Sequence, residues 1–299
     1  MGCSESKIVD SSGKENKGYP LCRATIDLSK LVDSMATYDK NRIILGARDE
    51  LQILDLSHKK ITPLSKEHKG RINCIIKLSN DEIVTAGQDK TIKVWKIDSE
   101  SSLMTLSGHN SMIWCISEIA GNKVISGSSD NRAIVWNLNE KKLDFELYKD
   151  KEISVVIQLK TGKVLLCSAD KLILFDLETK KQLTSLEIKP GIWCIRELSD
   201  GNVAAGYGNG DVGILEIGNE IKEKLVLKGH KKTVNSIIEL ENHKLVSSSD
   251  ENNMILWDLR DPESKYFING HIQKICCLAY ICGNKFASVS SDKTLKILE

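Results

Sequence analysis

This sequence predicts an all-β fold built from seven tandem units and closed into a β-propeller. Three observations carry the prediction. Large apolar residues recur at Leu54, Trp95, Trp136, Phe175, Leu215, Trp257 and Leu298, with separations of 41, 41, 39, 40, 42 and 41 residues. A second slot of small side chains keeps that period through Ser34, Cys74, Cys115, Val155, Cys194, Ser236 and Cys277. Within a unit, runs such as 72–78, 82–86 and 91–97 are short, β-branched and separated by turn residues.

The units differ in how much signature they carry. In units two, three, six and seven, His68, His109, His230 and His271 each stand 21 residues before an acid: Asp89, Asp130, Glu251 and Asp292. In unit six the count selects Glu251 over Asp250, and Glu251 is also six residues before Trp257, as Asp130 is before Trp136. Units one, four and five lack the Gly-His pair seen at Gly108-His109, Gly229-His230 and Gly270-His271, and unit five has Asn209 at the turn. Gln88-Asp89-Lys90 and Asn209-Gly210-Asp211 suit tight hairpins.

These residues resemble the WD-repeat β-propellers, over roughly 21–299. The resemblance implies seven four-stranded antiparallel blades. It also implies a buried hydrogen-bonded network inside each well-marked blade, from His, strand Ser or Thr, turn acid and Trp. The sets are His68–Thr85–Asp89–Trp95, His109–Ser126–Asp130–Trp136 and His230–Ser247–Glu251–Trp257. Unit seven keeps His271, Ser288 and Asp292 but has Leu298 in the Trp position. Its third strand ends at Leu298, so the alternating stretch 21–28 is expected to supply the fourth strand and close the ring in the last blade.

Composition and motifs exclude several function classes. The 42 basic and 41 acidic residues nearly balance, and Lys and Arg are scattered among acids, so no nucleic-acid partner is expected. The longest apolar run is about eight residues, far below the roughly 20 of a spanning helix. Nine Cys without a signal peptide or C-x-x-C read as reduced cytosolic thiols, four of them in the small core slot. His271, Cys276, Cys277 and Cys282 read as strand and loop residues, so neither a metal nor another cofactor is expected. Gly208, Gly210 and Gly213 form G-x-G-x-x-G, but on a strand-to-strand turn, which is the wrong context for a dinucleotide. Recurrence at repeat spacing makes the Gly-His histidines structural, and the chain is read as no enzyme, with no small-molecule substrate.

Two regions carry the functional reading. The resemblance places partner contacts on the face where the inner strands begin, around the channel. The position before the small slot holds Asp33, Asn73, Trp114, Trp193 and Asn235, with Arg71, Met112, Glu152 and Lys274 two residues earlier and Arg48 and Asp250 before the turn acids. Trp and Arg are favoured interface anchors; packing in the channel is the alternative for Trp114 and Trp193. Residues 1–20 are expected as a flexible anchor and linker, and 21–299 as the propeller. Met1-Gly2-Cys3-Ser4-Glu5-Ser6 matches the N-myristoylation pattern, and Cys3 beside Gly2 is a palmitoylation candidate. The resulting expectation is a monomeric propeller that scaffolds other proteins at the cytoplasmic face of a membrane. The alternative is a soluble structural subunit of a larger assembly.

Overall fold

A computed structural model of the chain describes the backbone of residues 8–10 and residues 22–99 and 101–299. Two short N-terminal strands are β1 (Ile8–Asp10) and β2 (Cys22–Asp27). Blade one follows as β3–β6 (Ser34–Asp39, Arg42–Ala47, Glu50–Asp55, Lys60–Ser65). Blade two is β7–β10 (Ile72–Lys77, Ile83–Gly87, Thr91–Trp95, Met104–Ser107) and blade three is β11–β14 (Ile113–Ile119, Lys123–Ser128, Arg132–Asn137, Lys142–Lys149). Blade four is β15–β18 (Ile153–Gln158, Val164–Ser168, Lys171–Asp176, Lys181–Glu187) and blade five is β19–β22 (Ile192–Glu197, Val203–Tyr207, Val212–Ile217, Ile221–Leu227). Blade six is β23–β26 (Val234–Leu240, Lys244–Ser249, Met254–Asp258, Asp261–Ile268), and the last blade takes β27–β29 (Ile275–Cys282, Lys285–Ser290, Thr294–Leu298). Each blade is a sheet in chain order, so the fold is a seven-bladed β-propeller of four-stranded antiparallel blades.

The fourth strand of the last blade is β2, antiparallel to β29 with Cys22 opposite Leu298 and Asp27 opposite Thr294. The Leu28 N–H continues the pairing by donating to the Lys293 carbonyl at 2.8 Å. Within the segment expected as a flexible anchor and linker, β1 adds a fifth strand to blade six by pairing with β26.

The chain forms two compact units, one of Met1–Val32, Trp193–Glu216 and Glu223–Glu299, the other of Asp33–Ile192 and Ile217–Lys222. In both, the apolar core sits between successive blades. Trp136 packs with Val84, Ile92 and Leu106 of blade two, and Trp95 with Ile44 and Leu51 of blade one. Trp257 packs with Val212 and Ile214 of blade five, and Ile275 and Phe286 of the last blade with Met254 and Ile268 of blade six.

A chain of hydrogen bonds locks each signature blade. In blade three the Trp136 indole N–H donates to Ser126 Oγ at 2.8 Å. The Ser126 hydroxyl donates to His109 Nε2 at 2.7 Å, and His109 Nδ1–H donates to Asp130 at 2.9 Å. The Asn110 backbone N–H adds a second donor to the same carboxylate oxygen. His68, Thr85, Asp89 and Trp95 repeat this chain in blade two, and His230, Ser247, Glu251 and Trp257 repeat it in blade six. In the last blade His271 bridges Asp292 and Ser288, with buried Leu298 in the Trp place.

Blades four and five lack this clasp and carry tyrosine hydrogen bonds at the ends of their second strands. The Tyr148 hydroxyl joins Ser168 and Asp150. The buried Tyr207 hydroxyl donates to Glu223 at 2.6 Å. A Cβ on Gly213 would collide with the Tyr207 ring, so packing explains the third glycine of the G-x-G-x-x-G. Gly210 turns between β20 and β21 at φ +96°, where only glycine is unstrained.

Burial dominates the charge state of the clasp. It opposes ionisation of Asp130, but Arg132, the Asn110 N–H and His109 outweigh it and hold the carboxyl at a pKa of about 2. Burial also pushes His109, His230 and His271 below the ordinary imidazole value, despite the acid beside each. The folded chain then binds fewer protons at these residues than the unfolded chain, whose imidazoles titrate near pH ~6.5. Stability is fully present above that pH and is lost as pH falls through it. The melting temperature is therefore expected to drop between pH 7 and pH 5; a constant or rising value over that interval would contradict the assignment. Removal of residues 21–28 leaves the last blade without β2, so its calorimetric unfolding is expected well below that of the full chain, and an unchanged transition would sink the closure argument.

Candidate functional site

The site is built on a recurring bulge. Where the first strand pairs with the second, register shifts between Ile72 and Cys74, Ile113 and Cys115, Ile153 and Val155, Val234 and Ser236, and Ile275 and Cys277. The residue skipped in each case is Asn73, Trp114, Ser154, Asn235 or Cys276. A bulge lets the flanking apolar and small residues both face the core, and turns the extra side chain out of the ladder. This is the position that sequence spacing marked as a contact surface.

Its polar occupants reach the next blade. Asn73 Nδ2 donates to the Ile113 carbonyl at 2.9 Å, Asn235 Nδ2 to the Ile275 carbonyl at 2.7 Å, and Ser154 Oγ to the Ile192 carbonyl at 3.2 Å. Asn235 also accepts from Ser248 Oγ at 2.8 Å. Asn73 and Asn235 thus staple successive blades, an internal role added to the one expected from their position.

Trp114 and Trp193 cannot make that staple, and both stand in solvent. Trp114 is 40% exposed and Trp193 59%, whereas Trp95, Trp136 and Trp257 are at most 1% exposed. The exposures set these two rings apart from the three blade-packing tryptophans. In the Asp33–Ile192 unit, the Trp114 indole N–H donates to Glu152 Oε1 at 2.6 Å and to Ser129 Oγ at 2.7 Å, and the Ser129 hydroxyl donates to the same Glu152 oxygen. The edge of the ring is pinned and its face is left open. Such a ring loses little rotamer freedom on binding, and a carboxylate at its edge suits a partner with cationic or hydrogen-bond-donating groups.

The remaining candidates of that unit form smaller sets. Arg71 Nε lies 3.3 Å from Asp33 Oδ2. The Met112 carbonyl accepts from Ser128 Oγ at 2.8 Å, fixing the approach to Trp114. Arg48 is exposed in a left-handed turn at φ 62°, and its carbonyl receives the Ile72 N–H at 2.7 Å. In the other unit, Lys274 Nζ is 3.7 Å from Asp250 Oδ1, and the Asn235 amide is 3.4 Å from the same oxygen.

Sequence spacing missed two participants. Ser129 stands directly before the turn acid Asp130, the place that Arg48 and Asp250 hold in their units, and its bonds to Trp114 and Glu152 show its part. Ile272, directly after a clasp histidine, is 81% exposed, and its N–H is held by Asp292 at 3.0 Å. A large apolar residue in the loop between β26 and β27 was the available signal. Burial raises the Cys74 and Cys194 thiols to about 11 and about 12, and both His271 nitrogens are engaged. Gly2 and Cys3, the acylation candidates, lie outside the described residues.

The family description "WD domain, G-beta repeat" matches residues 60–96, 100–137, 221–258 and 262–298, half of the chain. The chain belongs to the WD40 repeat family. Each matched segment begins with the fourth strand of one blade and runs through the third strand of the next, the same offset that leaves the last WD40 blade in need of β2. The unmatched stretch 138–220 holds all of blade four and the first three strands of blade five, where the His clasp is absent. WD repeat-containing protein 41 of Homo sapiens is 32% identical over 60 residues, a match to 20% of this chain and 13% of that protein's length. The crystal structure of the WD40 β-propeller domain of Doa1 aligns with a TM-score of 0.83 at 20% identity, covering 94% of this chain and 97% of that one. It shares the fold. WD40 propellers are generally interaction domains.

The contrast between exposed and buried tryptophans is measurable. Trp114→Ala and Trp193→Ala are each expected to change folding stability by less than about 1 kcal/mol. Trp136→Ala, which opens a cavity and strands a buried Ser and His, is expected to cost about 3–5 kcal/mol. Chemical denaturation of the three variants checks this, and a loss at Trp114 as large as at Trp136 would show that it is a packing residue.

Proposed function

We propose that this WD40 propeller is a non-catalytic scaffold that binds other proteins at the ends of its inner strands and is held at the cytoplasmic face of a membrane by acyl groups on Gly2 and Cys3. The observation that carries the scaffold reading is the use of the bulge position. Three blades spend it on a hydrogen bond to the neighbouring blade, while blade three presents the exposed Trp114 there and blade five sets the exposed Trp193 at the same place in the repeat. Exposed Trp on a rigid element gives apolar contact area at small conformational cost, and Trp is enriched among residues that dominate binding energy. Glu152 and Ser129 fix one of these rings before any partner arrives.

The anchor reading rests on Met1-Gly2-Cys3 with Ser6. After removal of Met1, an acyl thioester would transfer its acyl group to the Gly2 amine, forming an amide and releasing the thiol. One such chain gives marginal, reversible membrane binding, and stable retention takes a second signal. Lys7, Lys14 and Lys17 are offset by Glu5, Asp10 and Glu15, so a basic patch does not supply it. A thioester on Cys3 does.

Fractionation of cells expressing the tagged chain, with metabolic acyl labelling, tests both halves. Wild type is expected in the membrane fraction with label, Gly2→Ala in the soluble fraction without it, and Cys3→Ser retained less well. Trp114→Ala is expected to stay on the membrane and lose a partner captured by wild type, by at least ten-fold. A fully soluble, unlabelled wild type would instead favour a soluble assembly subunit.

A further inference from the structure

Ile8 and Val9 are adjacent β-branched residues in a stretch otherwise rich in Ser, Gly, Lys and Asn, and such a pair favours extended backbone. With Asp10 they form β1, antiparallel to β26 in the register Ile8 to Ile268, Val9 to Phe267 and Asp10 to Tyr266. The receiving end of β26 is Tyr266-Phe267-Ile268, aromatic and β-branched and without a charge. An uncharged edge of this kind is an open template for another strand. Among the described residues, no other blade carries a fifth strand.

The direction of β1 has a consequence for the N-terminus. From Ile268 the chain passes Gly270 and Lys274 and enters β27, so this end of blade six is the end that carries Lys274 and its ion-pair partner Asp250. Antiparallel pairing sets Ile8, and not Asp10, at that end. Gly2 precedes Ile8 by six residues, a reach of at most about 20 Å even when fully extended.

We infer that β1 is an orienting latch: it makes an acylated N-terminus leave from the rim of blade six that bears Asn235, Asp250 and Lys274, and so brings a lipid bilayer to that rim. This rests on the acyl-anchor reading given above. It replaces a long free tether, which would leave the orientation open, with a short leash at a defined place. A protein on the same membrane is thereby presented to the end of the blade that carries the candidate binding residues.

The test uses the acylated full chain on phosphatidylcholine vesicles containing a diazirine phospholipid, with mass spectrometry of the photolabelled peptides. Residues 268–274 lie at the predicted rim, and residues 241–244 and 258–261 at the opposite end of the same blade. Labelling of the first is expected to exceed that of the other two by at least three-fold. The double variant Ile8→Pro, Val9→Pro removes the latch, because adjacent strand residues present their N–H groups to opposite sides and one of the two must face β26. That variant is expected to remain on vesicles and to lose the three-fold bias. In the unmodified chain, hydrogen exchange of the Tyr266–Ile268 segment is expected to be at least ten-fold faster in the variant. Even labelling of vesicle-bound wild type, or bias or exchange unchanged by the prolines, overturns the latch and leaves the anchor standing. Failure of the acylated chain to bind vesicles overturns the anchor and the bilayer orientation with it, while the exchange result still decides whether β1 is docked.

Discussion

A neutral imidazole held between an acid and a hydroxyl is the interaction on which the marked blades depend. In blade three it runs from Trp136 through Ser126 and His109 to Asp130. The chain spans three elements: the loop entering the blade, the second strand and the third strand with its turn. Each member is buried and each donor has an acceptor, so removal of one leaves others unpaired in a low-dielectric interior. The Trp at the end of the chain also packs against the preceding blade, which couples the polar lock to the apolar core. Charging the imidazole would add a second cation beside Arg132 and take away the acceptor that Ser126 needs.

That lock leaves the strand ends rigid and free for other uses. The bulge at the start of the first strand is a backbone device repeated in five blades, and the residue it ejects decides what the blade does there. Asn and Ser reach the neighbouring carbonyl and tie blade to blade. Trp114 is too large and too apolar for that bond and lies at the surface with its N–H turned to Glu152, and Trp193, at the same repeat position in blade five, also stands in solvent. A fixed scaffold with a variable occupant separates what folds the blade from what its surface presents.

Much of the architecture was legible in the sequence, because it is periodic. The large apolar slot, the small slot and the His-to-acid spacing of 21 residues each correspond to one strand position, and Glu251 took the acid place that counting assigned it. The exchange of β2 into the last blade was legible from the missing fourth strand. What spacing could not reveal was where side chains point at a bulge, since a one-residue excess in one strand leaves no periodic trace. Asn73 and Asn235 therefore looked like surface residues when they are also staples. The Tyr148–Ser168 pair, which joins blades three and four, and the Tyr207–Glu223 pair within blade five follow no repeat spacing. β1 is three residues long, too short for any alternation to register, and only the Ile8-Val9 pair hinted at it.

The central claim is the protonation state of the clasp, and nitrogen-15 spectra of the histidine side chains test it most directly. At pH 7.5 the rings of His109, His230 and His271 are predicted to be neutral, with the proton on Nδ1 facing the acid and Nε2 accepting from the Ser hydroxyl. Imidazolium signals at that pH, or neutral rings protonated on Nε2, would contradict the account.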